Sequence, residues 1–245
     1  MRGDLLYGRN AVHEALRGPR KAIRLLLAEG VREDERLRSL EGAAGAAGIP
    51  VERVPRPMLD DLTAGANHQG VALETSAFPY ATLDDLLERT GTVLALDHLQ
   101  DPQNFGTLLR TAEASGVAGI VLPQDRAVGI TPAVVNASAG AVEHLLVARV
   151  PNLARALDSL KERGWWVVGL VAGPESVDLF TADLPTPVAL VVGSEGSGIG
   201  PNVARRCDLM VSLPMRGSVA SLNAATAGSI ALFDLLRRDP HASAP

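Results

Sequence analysis

The run Val188-Ala189-Leu190-Val191-Val192-Gly193-Ser194-Glu195-Gly196-Ser197-Gly198-Ile199-Gly200 opens the final quarter of the chain. Its first five residues are all apolar and leave no position for solvent, so they read as a strand buried on both faces. Four glycines follow, at 193, 196, 198 and 200, and let the backbone turn sharply and approach a ligand without a Cβ in the way. The spacing is not the Gly-x-Gly-x-x-Gly of a dinucleotide loop, and Glu195 would repel a pyrophosphate. A doubly buried strand ending in such a loop belongs in an open α/β sheet, whose ligand sites form at the carboxyl ends of strands.

The flanking sequence keeps the same rhythm. Strands are expected at Thr92–Leu96, Gly119–Leu122, Leu145–Val150, Trp166–Val171 and Met210–Leu213. Helices are expected at Asn104–Ser115, Thr131–Ala141, Leu153–Arg163 and Ser221–Arg237. This alternation predicts a mainly parallel sheet covered on both faces. The first 75 residues read as a smaller α/β unit, with helical spacing over Asn10–Leu16, Asp34–Ala47 and Met58–Leu62 and strands at Ile23–Leu27, Val51–Val54 and Val71–Glu74. Pro79 interrupts both periods. The expected division is therefore a domain over 1–75, a linker over 76–90, a second domain over 91–238 and a tail over 239–245.

Composition narrows the function. The chain has 245 residues, 47% hydrophobic and 21% charged, which suits folded domains with real cores. A net charge of −5 is not that of a protein that coats nucleic acid nonspecifically. Residues 1–75 carry as many basic as acidic side chains, and Lys21 and Lys161 are the only lysines in the chain. Nearly all positive charge is thus guanidinium, which grips phosphate bidentately. A single cysteine, Cys207, excludes a disulfide framework, and the five histidines show no zinc spacing, so no metal is expected. No apolar run approaches the ~18 residues of a membrane span, and the polar start lacks a signal-peptide core; a cytoplasmic protein is expected.

No P-loop lysine and no Gly-x-Ser-x-Gly elbow occurs. Three segments remain, each at the carboxyl end of an expected strand. The first runs from Asp97 to Arg110 and contains Asn104, Gly106 and Arg110; Asn104 is expected to cap the helix it opens. Taken alone, Arg110 would be a solvated helix residue or half of a structural ion pair. The second is Gly193–Gly200. The third, Leu213–Ala227, crowds small residues at the start of the closing helix, where Ser221 and Asn223 are also natural capping residues.

Together the three segments resemble the motifs of the SpoU/TrmH family of RNA 2′-O-ribose methyltransferases, within the SPOUT superfamily. Asn104, Gly106 and Arg110 fit Asn-x-Gly-x-x-x-Arg; Gly193, Glu195 and Gly196 fit Gly-x-Glu-Gly; Pro214, Met215, Gly217, Ser221, Leu222 and Asn223 fit Pro-Met…Gly…Ser-Leu-Asn. The likeness covers roughly residues 90–238. Tyr7–Val12 and His68–Ala72 further resemble the substrate-binding domain of the family's ribosomal-RNA branch. One departure is Ala224-Ala225-Thr226-Ala227, where relatives more often carry Val-Ser-Val-Ala; the replacements stay small and imply repacking.

The resemblance implies an N-terminal RNA-binding domain and a SPOUT α/β domain with a deep trefoil knot, joined in a cytoplasmic homodimer. It implies S-adenosyl-L-methionine as methyl donor, held by Gly193, Leu213 and Leu222 with Gly196 and Leu170 nearby. The implied reaction methylates a ribose 2′-hydroxyl, most like that of a guanosine in 23S rRNA. The alternatives are a tRNA ribose methyltransferase or a non-catalytic RNA-binding ribosome-assembly module. By the same resemblance Arg110, Asn104, Glu195, Ser221 and Asn223 form the catalytic set. The proton acceptor stays open, because a guanidinium is a poor base in its charged state. Arg110 could be deprotonated in an unusual site, or hold a phosphate and stabilise developing alkoxide charge while the proton leaves elsewhere.

Overall fold

The computed structural model describes residues 3–239 apart from Arg126, Pro174 and Ala220; the tail expected at 239–245 therefore lies almost wholly outside the described residues. The chain forms two compact units. The first begins with β1 (Asp4–Tyr7), α1 (Arg9–Arg17), β2 (Ala22–Ala28), α2 (Glu35–Ala46), β3 (Val51–Val54), α3 (Arg56–Leu62) and β4 (Val71–Thr75). Its sheet has the order β1-β4-β2-β3, with β4 antiparallel to both neighbours and β3 parallel to β2. Leu26, Ala28, Val54, Leu59 and Ala72 form a buried cluster in this unit. Asp34 starts α2 by accepting the Leu37 amide, so the expected helix is present one residue shorter at each end.

The stretch 76–90 carries α4 (Leu83–Leu87), closed at its start by a reciprocal box between Thr82 and Asp85. Next come β5 (Val93–Asp97), α5 (Pro102–Ala114) and β6 (Gly119–Pro123) in the second unit. The chain then returns to the first unit for residues 130–144, which hold α6 (Pro132–Ala137) and a 3-10 turn, Ala141–His144. From the sequence one helix was expected over 131–141. It breaks because Ala139 and Gly140 take positive φ, and a Cβ on Gly140 would stand 2.7 Å from that of Glu14.

A buried ion pair fixes this returning segment. Arg20 Nε donates to Glu143 Oε2 at 3.0 Å, with both side chains wholly buried. The same guanidinium donates to Asp4 at 2.5 Å and lies 5.0 Å from the Phe78 ring centroid. Burial pushes the Glu143 carboxyl above the ordinary carboxylate range, and Arg20 opposes the rise. His144 bonds Glu14 at 2.8 Å, and Asn136 donates to the Tyr7 carbonyl at 3.0 Å.

Back in the second unit follow β7 (Val147–Val150), α7 (Leu153–Glu162), β8 (Trp166–Leu170), β9 (Val177–Asp178), β10 (Val188–Gly193), α8 (Pro201–Ala204), β11 (Leu209–Ser212) and α9 (Ala224–Arg238). The sheet order is β7-β6-β5-β10-β8-β11-β9, and every strand pairing in it is parallel. β5 and β10 are buried at every residue, as their unbroken apolar sequences require. Their register sets Gly193 opposite Asp97, so the loops that leave the two strands start side by side. On one flank α5 and α9 pack together, joined by Thr111 and Ser229 hydroxyls 2.8 Å apart.

Candidate active site

Asp97 and Gly193 end adjacent strands, and each begins one of the singled-out segments. After Asp97 the chain turns through His98–Gln100 and enters α5, whose cap is Asp101. Its carboxylate accepts from the amides of Gln103 at 3.2 Å and Asn104 at 3.1 Å. The expectation that Asn104 caps this helix is therefore corrected: Asp101 does so three residues earlier. Relieved of that role, the Asn104 amide donates to Glu195 Oε1 at 2.7 Å.

Asn223 closes the network. Its Nδ2 donates to Asn104 Oδ1 at 2.9 Å and to Glu195 Oε1, while its Oδ1 caps α9 by accepting from the amides of Ala225 and Thr226. One residue from each of the three segments thus meets the other two, although 119 positions separate Asn104 from Asn223. An ionised Glu195 can only accept, and both asparagines present donors to it.

The glycine loop is folded on itself by paired backbone bonds between Ser194 and Gly198, at 3.0 and 3.2 Å. A Cβ on Gly193 would lie 2.2 Å from the Gly198 carbonyl carbon, so glycine is required there. Gly196 also needs its freedom, at φ 88°. A pair that sequence reasoning missed locks the loop's far end. Asp97, 1% exposed, accepts from the Gly200 amide at 2.7 Å, and its other oxygen lies 2.7 Å from His98 Nδ1. The signal was available: an aspartate closing a doubly buried strand needs partners for both oxygens.

Two hollows open at this end of the sheet. One, about 500 Å³, is lined by His98, Gln100, Asp101, Asn104, Ser194 and Glu195 among others. The other, about 420 Å³, is lined by Val171, Ala172, Gly173, Glu175, Ser176 and Met210, directly after Leu170 at the end of β8. Leu213 is half-buried, Leu222 and Met215 are exposed at 39% and 38%, and Ser221 is exposed on the approach to Asn223. Arg110 stands outside the network: it is exposed, and among the described residues no hydrogen bond or ion pair holds it. Six residues along α5 from Asn104, it lies about 9 Å further up the helix and about a third of a turn round. Among the described residues no cluster of His, Cys, Asp and Glu could hold a metal ion, and no helix is long and apolar enough to cross a membrane.

Residues 91–233 match the model of the SpoU rRNA Methylase family, and residues 5–81 match that for RNA 2′-O ribose methyltransferase substrate binding. The chain belongs to the SpoU family. It is 44% identical over 241 residues to a protein of Bacillus subtilis named for the TrmH family of tRNA/rRNA methyltransferases, covering 96% of each chain. It is 39% identical over 244 residues to a Staphylococcus aureus protein named for the same family, covering 97% of each. Among solved structures, an AdoMet-bound rRNA methyltransferase from Sinorhizobium meliloti matches with TM-score 0.80 at 29% identity, over 96% of this chain and 87% of that one. The A. aeolicus TrmH/SpoU tRNA modifying enzyme matches with TM-score 0.54 at 27% identity, over 64% of this chain and 80% of that one. The SpoU methylase and substrate-binding domains expected from the sequence are both present.

Proposed function

We propose that this SpoU-family enzyme transfers a methyl group from S-adenosyl-L-methionine to a ribose 2′-hydroxyl of RNA, a guanosine of 23S rRNA, in the cytoplasm. The observation that carries the reading is the junction of Asn104, Glu195 and Asn223 beside a cleft at the carboxyl ends of β5 and β10. Support for rRNA comes from the substrate-binding match over 5–81 and from the rRNA methyltransferase that aligns along nearly the whole chain, where the tRNA enzyme aligns along 64%.

The residues fit an adenosylmethionine. The 420 Å³ hollow beside Leu170 has the volume of a small-ligand site, and Leu213 and Leu222 offer apolar surface that a bound ligand would cover. Gly193 and Gly196 let the loop backbone come close, and Glu175 supplies negative charge. When bound, the group supplies a methyl carbon activated by a cationic sulfur. The trefoil knot belongs to the same reading, since the stretch from 213 to 223 returns from β11 to meet Glu195 and Asn104.

Arg110 fits a role across a homodimer. It shares the exposed face of α5 with Thr107 and Ala114, and the adjoining α9 exposes Ile230 at 37% and Phe233 at 49%. Burial of these apolar side chains against a second copy brings Arg110 to the interface, where its guanidinium holds a substrate phosphate and stabilises charge on the ribose oxygen. Asn104, Glu195, Ser221 and Asn223 position the ribose.

The test has three parts. Titration calorimetry is expected to show S-adenosyl-L-methionine binding and no NADH binding. Light scattering is expected to give a dimer mass. Mapping of ribose methylation in cells with and without the protein is expected to lose one 23S rRNA guanosine mark; loss of a tRNA mark instead would transfer the substrate to tRNA, and no lost mark would refute the activity.

A further inference from the structure

We propose that Asp97 is a positioning residue for methyl transfer: through the Gly200 amide it holds the glycine loop where Glu195 meets Asn104 and Asn223. This rests on the reading under Proposed function, whose catalytic set holds Glu195 and leaves Asp97 out.

The loop between Gly193 and Gly200 is anchored unevenly. Its first residue belongs to the ladder, Gly193 standing opposite Asp97. Beyond it the backbone is closed on itself, by the paired bonds between Ser194 and Gly198, with the Ser194 and Ser197 hydroxyls 2.5 Å apart. These bonds shape the loop and leave it free to tilt as one piece about Gly193. At the far end Ile199 packs against the apolar core, a contact without direction. The bond from the Gly200 amide to Asp97 Oδ2, at 2.7 Å, has direction, and Gly200 is the residue from which α8 starts. A Cβ at 200 would stand 3.2 Å from Asp97 Oδ2, so the bare backbone lets the carboxyl come this close.

Stability alone does not place an aspartate at this point. Val93, Leu94, Ala95 and Leu96 before it are all buried, and Asp97 is 1% exposed. A carboxyl there gives up its water, and among the described residues no lysine or arginine pairs with it. An apolar side chain would end the strand without that loss. What a polar side chain adds is a directed acceptor, and the amide it holds lies five residues beyond Glu195. Without the acceptor the loop shifts, and a misplacement of about 1 Å lowers a rate by as much as ~10². Glu195 then moves away from the two asparagines. Gly193 and Gly196 belong to the same loop, so the grip on the methyl donor loosens with it.

The test uses the full-length protein, ribosomal RNA from cells lacking it and radiolabelled S-adenosyl-L-methionine. Asp97→Ala removes the acceptor, and its single-turnover rate at saturating donor and RNA is expected to fall by ~10². Donor affinity by calorimetry should fall as well, while RNA affinity stays within about threefold on the order-of-magnitude scale used here. Asp97→Asn keeps an acceptor oxygen of the same shape for the Gly200 amide and should recover at least about tenfold of the lost rate. Gly200→Pro deletes the amide from the other side, at a φ of −64° that proline adopts. Combined with Asp97→Ala it should lower the rate no further than either change alone, as befits two ends of one bond. Hydrogen exchange without donor or RNA should quicken over residues 194–200 in the alanine variant and return to the wild-type pattern in the asparagine variant, with β5 and β10 protected in both. An Asp97→Ala rate close to wild type, an asparagine variant as slow as the alanine one, additive losses in the double variant or unchanged exchange over 194–200 would overturn the inference and leave the methyltransferase reading intact. Absence of transfer by the wild-type protein would overturn both.

Discussion

Arg110, unlike Asn104, Glu195 and Asn223, makes no hydrogen bond or ion pair among the described residues. If its role were to balance surface charge, both Arg110→Ala and Arg110→Lys would change turnover by almost nothing. As a phosphate- and alkoxide-binding group it should be indispensable: alanine is expected to lower single-turnover methyl transfer by ~10²–10³ with donor binding preserved. Lysine keeps the charge without the planar fork and should recover little. Cys207 offers a second residue-scale expectation. Burial, with Asp208 beside it, pushes its thiol up to about 11. Only the thiolate attacks a disulfide reagent, so at pH 8 labelling of the native protein should be on the order of 100-fold slower than of the denatured chain. Equal rates would show the thiol to be exposed.

At the scale of elements, the glycine loop after β10 is the most constrained piece of backbone. Gly193→Ala adds an atom 2.2 Å from another carbonyl carbon, and no side-chain motion can relieve a clash between backbones. The loop must then leave its place against Asp97, and calorimetry is expected to show donor affinity reduced at least tenfold while circular dichroism stays unchanged. The strands β5, β6, β8 and β10 were legible in advance because double burial leaves unbroken apolar runs. The active-site candidates were legible through motif spacing, and Asn104, Glu195 and Asn223 do meet. β1 escaped notice because only Leu6 of its four residues is buried, so no alternation marks it. The need of Asp97 for polar partners was legible at the end of a doubly buried strand, but residue order does not carry which groups would supply them.

For the whole molecule, the segment 130–144 changes how the two units are related in sequence. It lies within the stretch 91–238 yet packs with residues 1–79, held by Arg20, Glu143 and Glu14. Nothing in its composition announces this, since α6 and the 3-10 turn have the same apolar periodicity that packing on the large sheet would need. Arg20→Met strands the carboxylates of Glu143 and Asp4, and breaking a buried pair costs about 3–5 kcal/mol. Denaturant unfolding should register that loss, and hydrogen exchange should show residues 132–144 opening early. Arg20→Met with Glu143→Leu should recover much of the stability, because the wholly buried carboxylate is then gone and the one left unpaired, Asp4, is 25% exposed to water. If the single variant unfolded like wild type, the ion pair would be dispensable.

The chain passes between the units three times, at 79/80, 129/130 and 144/145. A nick at the first crossing alone would therefore not part them, because the freed fragment keeps the surface that recognises 130–144. Two separate genes, one encoding residues 1–79 and one encoding 80–245, should yield polypeptides that find each other and copurify without any fused tag to join them. The docking of one segment thus makes this enzyme a natural candidate for a split reporter, with Arg20 and Glu143 as the latch.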